Sequence, residues 1–120
     1  MMFPELVPRA FVSLTKRGVS VIGDREARLL DAVDRVRSIK DAASEAGISY
    51  RTAWSAIQHM EQALGRPMVL SRAGGPGGGA TTLTDECRRL LARYHDMRQR
   101  LEENLARAWD TPEETAQAGD

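Results

Sequence analysis

Three observations predict a mainly α-helical fold with small β-elements. Two short amphipathic segments meet at Gly47. Directly after them, from Met68 to Leu83, two runs of strand-forming residues flank a glycine-rich loop. An apolar stripe at helical spacing then runs from Cys87 to Trp109. Helix, turn, helix, followed by strand, loop, strand, is the order of a winged helix-turn-helix. Here it carries N-terminal β-strands and a long C-terminal dimerisation helix.

The elements can be justified in order. Residues 1–10 contain Pro4 and Pro8 and read as a loose lead-in. From Ala10 to Ile22, Phe11, Val12 and Leu14 precede a polar Lys16-Arg17-Gly18 corner, and Val19, Val21 and Ile22 follow it, which predicts two short strands and a turn. Asp24 is a cap candidate for a helix at about 25–36, where Leu29, Leu30, Val33 and Val36 recur at helical spacing. Ser38 caps a second, short helix with Ile39, Ala42, Ala43 and Ala46 on its apolar face, and Gly47 stops it. Ser49 caps a third, whose inward face is Ala53, Trp54, Ile57, Met60 or Glu61, and Leu64, with Gly65 ending it. Met68 to Arg72 is a short strand. The glycine run from Gly74 to Gly79 is expected to be irregular, because fixing each glycine costs entropy, and Ala80 to Leu83 is a second strand. Thr84 caps the long last helix, with Asp85 and Glu86 at its positive end and Pro112 beyond it. This divides the chain into a lead-in with short strands (1–23), a helix-turn-helix with wing (24–83), a dimerisation helix (84–110) and a disordered acidic tail (111–120).

The chain of 120 residues has room for one domain with a modest core, and 42% apolar residues make it globular. Its net charge of zero hides an asymmetry. Arg25 to Arg100 holds 13 basic and 9 acidic residues, whereas Leu101 to Asp120 holds 1 basic and 6 acidic. A basic middle is compatible with nucleic-acid binding without demanding it. The lone Cys87 excludes an internal disulfide and fits a reducing, cytoplasmic location. No apolar run reaches the roughly 18–20 residues of a membrane span, and the N-terminus does not read as a signal peptide.

The stretch from Ile39 to Leu64 carries the functional expectation. Ala43, four residues before Gly47, allows two helices to cross closely, and Gly47 tolerates the left-handed turn between them. The N-terminal end of the third helix then offers Ser49, Tyr50, Arg51, Thr52 and Ser55, with Gln58 one turn on. The N-terminal end of such a recognition helix usually meets base edges in double-stranded DNA. Arg51 can donate two hydrogen bonds to a guanine edge, and Ser or Thr can bond bases or phosphates. Arg72, Thr81 and Thr82, with the backbone of Gly74, Gly75, Gly77, Gly78 and Gly79, form a wing suited to the sugar-phosphate backbone. The last helix, about 40 Å long at 1.5 Å per residue, is longer than a small domain needs, which assigns Leu90, Leu91, Tyr94, Met97, Leu101, Leu105 and Trp109 to a homodimer interface.

These residues also carry a family resemblance. Ala42-Ala43, Gly47-Ile48-Ser49-Tyr50, Ala53-Trp54, Ile57, Met60-Glu61, the glycine run and Leu83-Thr84 closely resemble the N-terminal DNA-binding domain of molybdate-responsive regulators of the ModE type. More distantly, Ala42-Ala43, Ser49, Ile57, Met60-Glu61, Leu64-Gly65 and Arg72 are similar to the head of LysR-type regulators. The resemblance covers roughly residues 10–109. It implies a winged helix-turn-helix, the third helix in the major groove over Ser49 to Gln58, a wing over Arg72 to Thr82, dimerisation through the long helix, and repression or activation at promoters. Regulators of this type commonly sense molybdate through C-terminal oxyanion-binding domains. The sequence stops at Asp120, so molybdate binding is not carried over. Either a separate effector-sensing protein supplies the signal, or the trigger is different, or the chain is a piece of a longer one.

Other chemistries find less support. The glycine run lacks the lysine of a phosphate-binding G-x-x-x-x-G-K-[ST] loop. His59 and His95 sit on helices without a ligand cluster, Cys87 has no acid-base partner, and no Cys/His spacing suggests zinc, so neither an enzyme nor a cofactor is expected. Trp54 reads as core and Tyr50 as the better aromatic for DNA. The rival reading is an adaptor that uses the same fold and its long helix to bind another protein.

Overall fold

The computed structural model describes residues 2–75 and 78–111. In chain order the elements are β1 (Leu14–Lys16), β2 (Val19–Ile22), α1 (Asp24–Val36), α2 (Ile39–Ala46), α3 (Tyr50–Leu64), β3 (Val69–Gly75), β4 (Gly78–Leu83) and α4 (Asp85–Trp109). β1 and β2 form one antiparallel hairpin, and β3 and β4 form another. The fold is a winged helix-turn-helix, with the second hairpin as the wing.

A single apolar core joins these pieces. Ile22 from β2, Leu29, Leu30 and Val33 from α1, Ile39, Ala42 and Ala43 from α2, and Ala53, Ile57 and Met60 from α3 are all buried. Met68, Leu83, Cys87, Leu91 and Tyr94 complete it from the wing and α4. Fully burying one large aliphatic side chain contributes about 1.5–3 kcal/mol, so this cluster is the main force holding four helices and two hairpins together.

Each helix boundary has a local cause. Ser38 Oγ accepts the Asp41 N–H at 3.1 Å and starts α2. At its other end Gly47 takes φ +71°, and the N–H of Ile48 turns back to the carbonyl of Ala43 at 3.0 Å. No atom crowds the position a Cβ would take at Gly47, so backbone angle alone calls for glycine there. Ala42 and Ala43 are fully buried, which is why small side chains stand where α2 packs on its neighbours.

The start of α1 differs from expectation. The cap is Gly23 rather than Asp24, and Glu26 Oε1 accepts the Gly23 N–H at 2.8 Å. Asp24 is the first helical residue, and its carboxylate is taken by α4. It accepts from the Tyr94 hydroxyl and pairs with Arg98 at 2.9 Å. The last turn of α1 ends on Arg37 at φ +60°, a left-handed position held by a non-glycine residue.

The glycine run is also more regular than its composition suggests. β3 continues to Gly75 and β4 begins at Gly78, with Gly75 opposite Gly78 and an irregularity between Arg72 and Gly75. Ladder pairing supplies the ordering that single glycines resist. Gly77 and the expected acidic tail from residue 112 lie outside the described residues.

Candidate nucleic-acid interface

The third helix is positioned by its caps and its buried stripe. Ser49 Oγ accepts the Thr52 N–H at 3.0 Å and donates to Thr52 Oγ1 at 2.9 Å. Burial of Ala53, Ile57 and Met60 turns the opposite side outward. Arg51, Ser55, Gln58 and Gln62 fall there, at helical spacing, and all four are exposed. Arg51 has no hydrogen-bond or ion-pair partner among the described residues, so its guanidinium keeps all its donors. Tyr50 is 53% exposed. It stands edge-on to Trp54, ring centroids 6.3 Å apart and planes at 89°. Trp54 is half-buried against the core and not wholly inside it, so the two rings form one aromatic corner at the helix start.

Two devices fix the wing at its base. Glu61 Oε2 accepts the Met68 N–H at 2.8 Å, tying the end of α3 to the first strand. Thr84 donates its hydroxyl to the carbonyl of Pro67 at 3.0 Å while its Oγ accepts the Cys87 N–H at 3.1 Å. The residue that begins α4 therefore also closes the hairpin. The cap is the one expected of Thr84, whereas its bond to Pro67 and the bond of Glu61 to Met68 were not evident beforehand. The only sequence signal for Glu61 was a carboxylate on the inward face of a helix.

Strand alternation sorts the wing residues. Val69 and Leu83 are an opposed, buried pair. Ser71 and Thr81, also opposed, lie on that same face, with hydroxyls 3.3 Å apart. The N–H of Thr81 donates to the carbonyl of Arg37 at 3.0 Å. The backbone of Thr81 is thus engaged by its own fold, and its hydroxyl pairs with that of Ser71. Thr82, opposite the exposed Leu70, and Arg72 point the other way.

A feature the sequence did not announce lies on the far flank of α3. A groove of about 470 Å³ runs between β2, α1 and α3. Arg25 from α1, Arg51 and His59 from α3, and the hydroxyl residues Ser20, Thr52 and Ser55 border it. The His59 ring Nε2 lies 3.3 Å from the Ser20 carbonyl and, facing an acceptor, donates to it.

The residues assigned to a partner helix divide. Leu91 is 7% exposed and Tyr94 1%, so both belong to the core of this chain and offer no surface to a partner. Leu90 is half-buried against the same core. Beyond Tyr94, α4 runs on to Trp109 without a buried residue, leaving Met97 and Leu105 half-buried, Leu101 38% exposed and Trp109 41% exposed. Burial pushes the Cys87 thiol up to about 11, helped by the nearby Asp34 carboxylate, so this cysteine stays a neutral packing residue. Among the described residues, no helix is long and apolar enough to cross a membrane.

Comparison with known proteins decides the family. Residues 25–88, just over half of the 120-residue chain, match the model described as "Bacterial regulatory helix-turn-helix protein, lysR family". The chain belongs to that LysR family. The match opens on Arg25 and closes on Arg88, and so takes in α1, α2, α3, the wing and the start of α4. Among curated relatives, it is 43% identical over 75 residues to the molybdenum transport protein ModE of Azotobacter vinelandii, covering 62% of this chain and 28% of that one. It is 40% identical over 83 residues to the molybdenum-pterin-binding protein MopB of Rhodobacter capsulatus (69% of this chain, 30% of that one). It is also 40% identical over 70 residues to the DNA-binding transcriptional dual regulator ModE of Escherichia coli K12, covering 58% and 27%. The chain thus spans less than a third of the length of these relatives. The part it shares with the LysR family is the regulatory helix-turn-helix.

Proposed function

We propose that this LysR-family chain is a sequence-specific, double-stranded-DNA-binding transcription regulator that acts as a homodimer. The observation that carries the reading is the stripe Arg51, Ser55, Gln58 and Gln62. It is an exposed helix face of donors and acceptors, headed by an arginine with no partner among the described residues. An α-helix of this kind fits the B-DNA major groove, about 12 Å wide, where arginine reads guanine and glutamine reads adenine. Ser49 is the helix cap and contacts DNA through what its hydroxyl has left to offer. Tyr50, beside Trp54, packs against a sugar or a thymine methyl. The wing lies along the sugar-phosphate backbone through Arg72, Thr82 and the amides of Gly74, Gly75, Gly78 and Gly79.

Dimerisation rests on the apolar residues of α4 beyond Tyr94, namely Met97, Leu101, Leu105 and Trp109. The N-terminal segment supports it, since Met2, Phe3, Leu6, Val7 and Phe11 are all more than half exposed. Apolar surface of this extent favours a protein partner over water. A two-fold pair of recognition helices reads inverted half-sites about one helical turn (34–36 Å), or a multiple of it, apart. Molybdenum appears in the names of relatives that are more than twice as long as this chain. For this chain we place effector sensing elsewhere, in a separate protein or in sequence beyond this segment.

The test is fluorescence anisotropy on a duplex taken from the DNA upstream of its own gene and on a scramble of it, across several salt concentrations. Tight binding to the first, much weaker binding to the second and a steep salt slope are expected. Absence of binding at low salt would overturn the reading and favour the protein-binding adaptor.

A further inference from the structure

The groove on the far flank of α3 carries an inference that rests on the DNA-binding reading and extends it. Residues 59 and 61 are about 200° apart around a helix of 3.6 residues per turn. Glu61 is bonded to the base of the wing and His59 to β2, so the wing and the β2–α1 junction stand on opposite sides of the exposed stripe.

Arg25 is held ready at that second side. Its Nε donates to Glu26 Oε2 at 3.0 Å, and the other carboxylate oxygen of Glu26 already accepts the Gly23 N–H. Glu26 is therefore occupied twice, with its side chain only 15% exposed, while that of Arg25 is 58% exposed. The terminal nitrogens of Arg25 have no partner among the described residues. A guanidinium gripped through Nε presents its outer donors in a fixed plane, which suits the two oxygens of a phosphodiester. Thr52 Oγ1 already accepts from Ser49, which leaves its own hydroxyl proton to donate. Arg51 and Arg25 border the same groove, and the one carboxylate beside them is engaged.

We propose that this groove seats a backbone phosphate of the bound DNA, with Arg25 as the principal donor and the Thr52 hydroxyl as the second. The recognition helix then lies between two backbone contacts, the wing on one side and the β2–α1 junction on the other. Such a contact fixes register and orientation on the duplex and carries no sequence information.

The experiment measures binding of the full chain to the upstream duplex and to its scramble as a function of salt, for the wild type, Arg25→Gln, Arg25→Lys and Arg107→Gln. Thermal melts of each variant establish that it is folded. For Arg25→Gln, affinity is expected to fall roughly tenfold on both duplexes alike. The slope of log K against log salt becomes shallower by about 0.9 per bound protomer. Arg25→Lys retains the slope, and Arg107→Gln, on the far part of α4, leaves slope and affinity unchanged. An unchanged slope in Arg25→Gln overturns the phosphate seat, as does a loss confined to the upstream duplex. If the wild type itself binds neither duplex in a salt-dependent manner, the DNA-binding reading fails first and the seat fails with it. Binding by the wild type separates the two failures.

Discussion

The backbone N–H of Thr81 donates to the carbonyl of Arg37 at 3.0 Å, joining the wing to the end of α1. The acceptor sits on a residue at φ +60°, whose own N–H returns to Val33 at 2.8 Å. A side chain in the left-handed region costs roughly 1 kcal/mol that glycine does not incur. Arg37→Gly keeps the carbonyl and is expected to raise stability by about 0.5–1 kcal/mol. Urea denaturation followed by circular dichroism reads it, and a lower midpoint would show that the arginine side chain stabilises this corner.

Arg51→Ala is expected to weaken binding to the specific site by about 1–3 kcal/mol and to relax preference at one base position. Competition binding over a panel of single-base operator variants measures this. An equal loss on random DNA would make Arg51 a phosphate contact.

Glu61→Ala removes the acceptor from the Met68 N–H and unfastens the root of the wing. A destabilisation of about 1–3 kcal/mol is expected, with Glu61→Gln close to wild type because its amide oxygen still accepts. Equal loss in both variants would point to the charge and not to the hydrogen bond.

These positions show how far the sequence is legible. Helical periodicity finds the buried stripes of α1 to α4, because a 3.6-residue repeat reports directly on which face is inside. Ser38, Ser49 and Thr84 reveal their caps, and Gly47 and Gly65 their stops, because those contacts are local. What periodicity misses is long-range. Asp24 looks like a cap until Tyr94, seventy positions on, donates to it. Leu91 and Tyr94 look like partner-facing residues because the stripe of α4 is continuous in sequence, although only its first half meets the core. Arg25 has no motif at all, and its place beside Arg51 exists only once α1 and α3 are packed.

Leu101→Glu places a charge on the exposed apolar face of α4 without touching the core. A shift from dimer to monomer is expected in light scattering after gel filtration, with the melting temperature at high protein concentration lowered to the monomer value. Persistence of the dimer would move the interface to the N-terminal segment.

Alkaline pH is expected to weaken the fold. Burial and the Asp24 contact push the Tyr94 hydroxyl from 10.0 up to about 12, and burial pushes Cys87 from 9.0 to about 11. Both groups ionise more readily in the unfolded chain, so their contribution is complete below about 9 and is lost as pH rises through 11 and 12. Thermal midpoints should therefore hold up to about pH 9 and then fall, with a shallower fall above 10 in Tyr94→Phe.

Glu61 and Thr84 grip the two ends of one hairpin, and both grips lie at its root. The wing is therefore anchored where it leaves the body and once more at Thr81, whose N–H reaches the Arg37 carbonyl. On the proposed DNA-binding reading, substitutions further out along the strands, as at Arg72, change the arm's contacts with DNA and leave these anchors in place. Contact and anchorage are then separately adjustable, and on that reading one scaffold can be refitted to operators of different shape.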